Sequence, residues 1–364
     1  MKRLGPPAPR RLIDTAQALA RRLDHPHCHS VATLGLAKNA GKTTALRLLL
    51  AADPGELHGL LSIGIDGERA DAFSLAAKPA IDVGAGTLVV TAEQALARGS
   101  ARVDLLETLG ATSVLGELVV CRVIEPGTVV LAGVRHRADA RLAREALSRL
   151  GATRVLVDGA YDRLIAASPS IADGVIVATG VVAGSDLMAI VEATRHLVAR
   201  LTTAMAGDRW WRGLPESSAA VRLDTGPRSL PWAGALSATR IEAADLADAS
   251  ALFHPGALSD RAVERLAALP RRAPTPLVVP DPSHLLASAT SLRRLERAGW
   301  LLQVAARPRV LAVTVNPTSP EGRSLDAGRL VAAVAEPLPP GLLVLDPRTG
   351  WAVGLDDHDA TASG

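Results

Sequence analysis

Two kinds of apolar pattern alternate along the chain. Continuous apolar runs at 30–36 (SVATLGL), 58–66 (HGLLSIGID), 118–123, 129–134, 154–157, 174–178, 310–315 and 342–345 read as strands buried on both faces. Between them, apolar residues spaced by three and four at 12–23, 43–52, 141–150, 187–201, 260–269 and 291–298 read as amphipathic helices. A further helix is expected from residue 92, and short strands at 251–253 and 276–279. Glycines follow several of the runs, at Gly67, Gly159 and Gly180. Strand–helix alternation of this kind predicts an α/β fold with a doubly wound, mostly parallel sheet.

Residues 206–240 break the rhythm. They are rich in Gly, Pro and Ser and hold three of the five tryptophans, so they read as a connector between two lobes. The expected organisation is an N-terminal helical segment at 1–29, a first α/β domain at 30–205, the connector at 206–240, a second α/β lobe at 241–355 and a flexible tail at 356–364.

Composition narrows the class. Of the 364 residues 48% are hydrophobic but only 2% aromatic, so the core is built from Ala, Val and Leu, which suits helices packed on a parallel sheet. Net charge is +3 and no basic stripe is interleaved with aromatics, which disfavours a nucleic-acid partner. Two cysteines, Cys28 and Cys121, make no disulfide framework, and nothing resembles a secretory signal. The most apolar stretch, 174–184, is bracketed by Asp173 and Asp186 and is too short to cross a bilayer. A soluble, cytoplasmic protein with no membrane partner is the expectation.

The scarce residues carry the chemistry. The chain has four lysines (Lys2, Lys38, Lys42 and Lys78) and two asparagines (Asn39 and Asn316), and two of the lysines and one asparagine fall within 38–44. That window belongs to GLAKNAGKTT, residues 35–44, between an expected strand and an expected helix. A glycine-rich turn there aims backbone amides at phosphates, a lysine supplies a compact cation for the β and γ oxygens, and a hydroxyl can ligate Mg²⁺. Gly41 permits close backbone approach, Lys42 is the phosphate cation, Thr43 the Mg²⁺ ligand and Thr44 a further hydroxyl. Gly35, Ala37, Lys38, Asn39 and Ala40 complete the cradle of this P-loop, so 30–205 is expected to be a nucleotide-binding domain. The usual spacing places a glycine at 36, where this chain has Leu36; with Gly35 instead, the loop is one residue longer.

Two acids are candidates for the metal and hydrolysis side. Asp158 follows the run at 154–157 and would contact Mg²⁺ through water, and Asp66 ends an earlier strand and would orient water or metal; an Asp before Gly is also a common turn former. The guanine-reading run Asn-Lys-x-Asp is absent, because Asn39 precedes Ala40 and Asn316 precedes Pro317, which favours ATP over GTP.

Other groupings have plainer readings beside the functional one. His25, His27, Cys28 and His29 hold metal-ligating types, but neighbours on an extended segment point apart and further ligands are needed. Lys78 is a phosphate or partner contact or a surface charge. The run 316–322 (NPTSPEG) follows a strand, where ligand loops of open α/β sheets sit, and is a second site, an interlobe contact or a turn. Trp210, Trp211, Trp232 and Trp300 read as packing. A cobalamin-binding D-x-H-x-x-G is absent; the nearest run, at 356–361, lacks the glycine.

The loop spacing resembles dethiobiotin synthetase, in the P-loop class that includes nitrogenase iron protein and signal-recognition GTPases. More widely, AKNAGKTT, SIGIDGE, GTLVVTAEQAL, LETLGATSVLGE, VLVDGAYDR, GVIVATG and VTVNPTSPEG, spread over 32–322, resemble a family of P-loop proteins encoded beside adenosylcobalamin-dependent lysine and ornithine aminomutases. The family pattern has Arg where this chain has Ile65. The resemblance implies an ATP- and Mg²⁺-dependent reactivating factor that releases damaged cofactor from an inactivated B12-dependent aminomutase, together with a MutS-like partner. Relatives of this loop class act as dimers, so a homodimer is among the expected states. The alternatives are an ATP-dependent ligase acting on a small carboxylate, like dethiobiotin synthetase, and a metal- or cofactor-insertion NTPase.

Overall fold

The computed structural model describes residues 10–11, 14–63, 80–113, 115–161, 164–213, 218–233, 237–270 and 274–354. The chain divides into two compact units, residues 1–198 with 308–364 and residues 199–307. In chain order the first unit carries β1 (Arg10–Arg11), β2 (Ser30–Gly35), β3 (His58–Ile63), β4 (Ile81–Val83), β5 (Leu88–Ala92), β6 (Arg102–Ser113), β7 (Gly116–Glu125), β8 (Gly127–Val129), β9 (Gly133–Val134), β10 (Arg154–Tyr161) and β11 (Gly174–Gly180). The second carries β12 (Ser218–Leu223), β13 (Gly226–Ala233), β14 (Ala251–Phe253), β15 (Thr275–Val279) and β16 (Trp300–Val304). The first unit is then completed by β17 (Arg309–Asn316), β18 (Leu343–Leu345) and β19 (Trp351–Val353).

The result is an α/β fold around a large mixed sheet. Its path is β1-β19-β18-β17-β11-β2-β10-β3-β5-β7-β6, with β9 pairing β3 off the path. The strands from β18 through β5 run parallel, and antiparallel pairs close both ends. β2, β3 and β11 are buried along their whole length, as parallel strands covered on both faces must be. Helices α1 (Thr15–Leu23) and α2 (Lys42–Ala52) cover one face, where Leu19, Leu46 and Leu49 meet Leu60, Leu156 and Ile176 in one apolar cluster. Asp14 starts α1 by accepting a hydrogen bond from Gln17 N at 2.9 Å. At the opposite end of β2 from the loop, Asp173 accepts from Ser30 N and Oγ and is paired with Arg144 at 3.1 Å, which anchors the strand where it enters the sheet.

Several expected boundaries move. The helix expected from residue 92 is present but only four residues long, Glu93–Leu96, and the chain then forms the long edge strand β6. β6 has no continuous apolar run; it forms because β7 offers it a pairing edge. The strand expected at 129–134 is broken: β8 pairs with β4, β9 pairs with β3, and Thr91 Oγ1 bridges the gap by donating to Val130 O and accepting from Ala132 N.

The expected division at 206–240 and 241–355 is also corrected. The proposed connector contains β12 and β13, which pair and belong to the second unit's five-stranded sheet, ordered β13-β12-β14-β15-β16. The expected C-terminal lobe is split, since β17 hydrogen-bonds to β11 and brings 308–354 back into the first sheet. The second unit has its own core around Trp300, which is 1% exposed and donates its indole N–H to Leu266 O at 3.1 Å. The tail expected to be flexible, from 356, lies outside the described residues.

Candidate functional site

β2 occupies the centre of the parallel strands, with β10 on one side and β11 on the other. After β2 the chain crosses to β3 beyond β10, whereas β17 and β18 extend the sheet on the β11 side. Connections that leave in opposite directions open a crevice at the carboxyl ends of neighbouring strands, where α/β proteins bind ligands. The loop 36–41 sits there.

Gly35 pairs with Ala178 of β11 and with Tyr161 of β10, and Leu36 N donates to Ala178 O at 3.0 Å, so the loop leaves from a fixed point. Ala40 N donates to Ala37 O at 3.3 Å. Two residues then take left-handed backbone, Asn39 at φ 63° and Gly41 at φ 104°. Asn tolerates this conformation better than other side chains, and Gly does so without steric penalty. Gly41 caps α2 with no side-chain hydrogen bond, at a helix start whose first amides have no acceptor within the helix.

The lysine is placed by the same turn. A Cβ added to Gly35 would stand 2.8 Å from Lys42 Cγ, 2.9 Å from Cδ and 3.2 Å from Nζ. The side chain of Lys42 therefore folds back along the start of the loop, and its ammonium lies over Gly35. Lys42, Thr43 and Thr44 are half-buried, Ala40 is buried, Ala37 is half-buried, and Lys38 and Asn39 are exposed.

Beside the loop lies a small open recess of about 10 Å³, room for little more than one water, whose walls include Gly41, Thr44, Thr314, Asn316, Asp346 and Arg348. That is far below the roughly 300–1,000 Å³ that encloses a drug-sized ligand, so the recess is not a ligand pocket by itself. Thr314 is 2% exposed, and its Oγ1 makes no hydrogen bond among the described residues. Asp346 is spent on its own turn, accepting from Arg348 N at 2.9 Å and Thr349 Oγ1 at 2.5 Å.

The sequence-expected residues divide clearly. Gly35, Ala37, Lys38, Asn39, Ala40, Gly41, Lys42, Thr43 and Thr44 form one continuous turn. Asp158 is half-buried on β10, in register with Thr33 of β2, one strand from the loop; β10 does not end before it, as expected, but continues with irregular register to Tyr161. Asp66 and Lys78 lie outside the described residues. Asn316, from the run expected as a second site or a turn, joins the loop directly, its Nδ2 donating to Asn39 O at 3.2 Å.

Sequence reasoning missed residues 346–348. The available signal was the one used for 316–322, an apolar run ending in a polar residue and a proline.

The histidine-rich segment has a different use. Among the described residues no group of three or more His, Cys, Asp or Glu is placed to hold a metal. Cys28 is buried, and burial raises its thiol above the ordinary value despite the opposing pull of Arg154. Arg154 donates to Cys28 O and is paired with Asp53 at 2.7 Å, which makes the segment part of the packing beneath the sheet. In the second unit Trp211 stacks on Phe253 at 5.2 Å and Trp232 donates to Asp245 Oδ2 at 3.3 Å.

The chain matches no protein-family model, no curated protein and no solved structure. No helix among the described residues is long and apolar enough to cross a membrane.

Proposed function

We propose that the chain is a P-loop protein that binds ATP with Mg²⁺ at the turn 35–44 and hydrolyses it. The observation that carries this reading is the fold-back of Lys42 over Gly35, beside a helix start with no side-chain cap. A lysine ammonium beside a helix start is the pairing of compact cation and backbone amides that a polyphosphate requires. The missing Asn-Lys-x-Asp run favours adenine as the base.

A hydroxyl and a carboxylate are hard oxygen donors, which suits Mg²⁺ held by one or two protein groups plus phosphate oxygens. Thr43 and Asp158 would hold it, and it would supply positive charge to the β and γ oxygens. Within that arrangement Lys42 would bind the β and γ oxygens, the loop amides would orient them, and Asp158 would reach the ion through water.

The output of ATP turnover is proposed from resemblance. The phrases spread over 32–322 support a reactivating factor for an adenosylcobalamin-dependent aminomutase, acting with a MutS-like partner and, as in relatives of the loop class, as a homodimer. The longer Gly35 spacing supports a second reading, an ATP-dependent ligase on a small carboxylate. Calorimetry with MgATP tests the common part: Lys42→Ala should lose at least about 100-fold in affinity, and Lys42→Arg should lose nearly as much, because a planar fork does not replace a compact ammonium. Wild-type affinity in either variant would sink the reading. Hydrolysis measured with and without an inactivated aminomutase then separates the outputs, since turnover indifferent to the mutase but stimulated by a small carboxylate favours the ligase.

A further inference from the structure

The two asparagines of the chain meet, although 277 positions separate them. Asn316 ends β17 with its side-chain amide engaged on both sides. Nδ2 donates to Asn39 O at 3.2 Å, and Oδ1 accepts from Thr318 N at 3.3 Å and Thr318 Oγ1 at 3.1 Å. The partners settle which way the amide faces, because a carbonyl oxygen lies on one side and two donors on the other. Both acceptor positions of Oδ1 are thereby used inside the protein, so Asn316 is badly placed to read a base even though it borders the recess.

Its partner is the unusual residue of the loop. Asn39 is the one non-glycine residue with positive φ among the described residues. Asn316 also lies against the other left-handed residue, since a Cβ on Gly41 would stand 3.6 Å from Asn316 Cβ. Behind Asn316, Ser319 N donates to Arg323 O at 2.8 Å, and Arg323 Nη1 donates to Val181 O at 2.9 Å and Gly184 O at 2.6 Å. Gly180 is pressed against the same point; a Cβ there would collide with the carbonyl oxygen of Asn316. The loop after β17 is thus tied to the loop after β2 by the Asn316 side chain and to the loop after β11 by the Arg323 side chain.

We propose that Asn316 is a positioning residue for phosphate binding: it holds the left-handed turn at 39–41 in its ligand-ready form and ties that turn, through Thr318 and Arg323, to the loops after β11 and β17. The proposal rests on the nucleotide reading above. A loop set before the ligand arrives spares the ligand the ordering that a slack loop would require.

The test uses the full chain and three probes, MgATP, inorganic tripolyphosphate and adenosine, titrated into wild type, Asn316→Ala and Thr318→Val, with thermal melts as a check on folding. Loss of one positioning hydrogen bond in Asn316→Ala should weaken MgATP and tripolyphosphate by the same factor, about 3- to 10-fold, and leave adenosine unchanged. Thr318→Val keeps the backbone donor and should weaken both phosphate probes in the same direction by about 2-fold. It carries the test alone if Asn316→Ala does not fold. Reduced MgATP affinity with unchanged tripolyphosphate affinity makes Asn316 a base contact and overturns the proposal. So does wild-type affinity for both phosphate probes in a folded variant. Wild-type protein that binds neither phosphate probe overturns the nucleotide reading itself, an outcome visible before any variant is made.

Discussion

At the end of β2 in the first unit, Lys42, Thr43 and Thr44 stand half-buried around a turn that puts two residues in left-handed backbone. At the ends of β14 and β15 in the second unit, the polar residues are drawn inward. His254 is fully buried, and Asp281, 5% exposed, accepts from Ser283 N at 2.8 Å and Ser283 Oγ at 2.5 Å, with His284 Nδ1 at 3.3 Å. Both places are carboxyl ends of parallel strands, yet one turn presents its polar groups and the other closes over them. Backbone composition accounts for the contrast. Gly35 and Gly41 leave room for a folded-back lysine and a bare helix start, whereas Pro280 and Pro282 flank an Asp whose carboxylate caps its own turn. An α/β pattern therefore locates edges where a site can form, and the turn decides whether one does.

The comparison can be broken at its strongest point first. If the second unit is built for closure, its core should dominate its behaviour. Trp300→Ala removes its largest buried side chain and an indole hydrogen bond to Leu266 O, and should cost about 3–5 kcal/mol in urea denaturation of the full chain. A loss below about 1 kcal/mol would show that the core repacks around the gap.

His254 tests the same closure by pH. Burial, first of all, holds its imidazole down to about 4 from an ordinary 6.5, with the neighbouring His284 pressing the same way and a backbone hydrogen bond at Ala257 opposing. Asp281 and His284 are the titratable groups that close this turn. Between those two values the unfolded chain binds the proton and the folded chain does not. Stability is therefore complete above about pH 6.5 and falls as pH drops toward 4, by about 3 kcal/mol in all. Urea midpoints at several pH values should show this slope in wild type and a flatter one in His254→Gln. Equal slopes would mean that the imidazole reaches water in the folded state.

The smallest effect sharpens the other side. In Gly35→Ala the new methyl would lie 2.8 Å from Lys42 Cγ and 2.9 Å from Cδ, near the root of the side chain where little can give. The ammonium must move, and MgATP affinity should fall about tenfold, roughly 1.4 kcal/mol, while the melting temperature changes little. Undiminished affinity in that variant would mean the fold-back of Lys42 is not the binding geometry.

Much of the loop was legible along the chain. The expected strand at 30–36 and helix at 43–52 differ by a residue at most from β2 and α2, because a buried strand, a glycine turn and an apolar helix each leave a local pattern. The lysine and asparagine scarcity pointed to the same window, and the run 316–322 was marked on the rule that ligand loops follow strands. That the two windows touch was not legible, since nothing local to Asn39 or Asn316 encodes a hydrogen bond across the sheet.

The sequence by itself determined the α/β class, the position and length of the loop 35–44, and the residue types that line it, since these follow from periodicity and backbone chemistry within a few residues. Tertiary structure decided which strands are neighbours: that β10 comes between β2 and β3, that β17 returns to β11 after the second unit, and that β6 pairs at all. Strand pairing joins residues far apart in the chain through backbone groups that every sequence carries alike. It is selected only when all the faces are buried together, and so no single run of residues announces it.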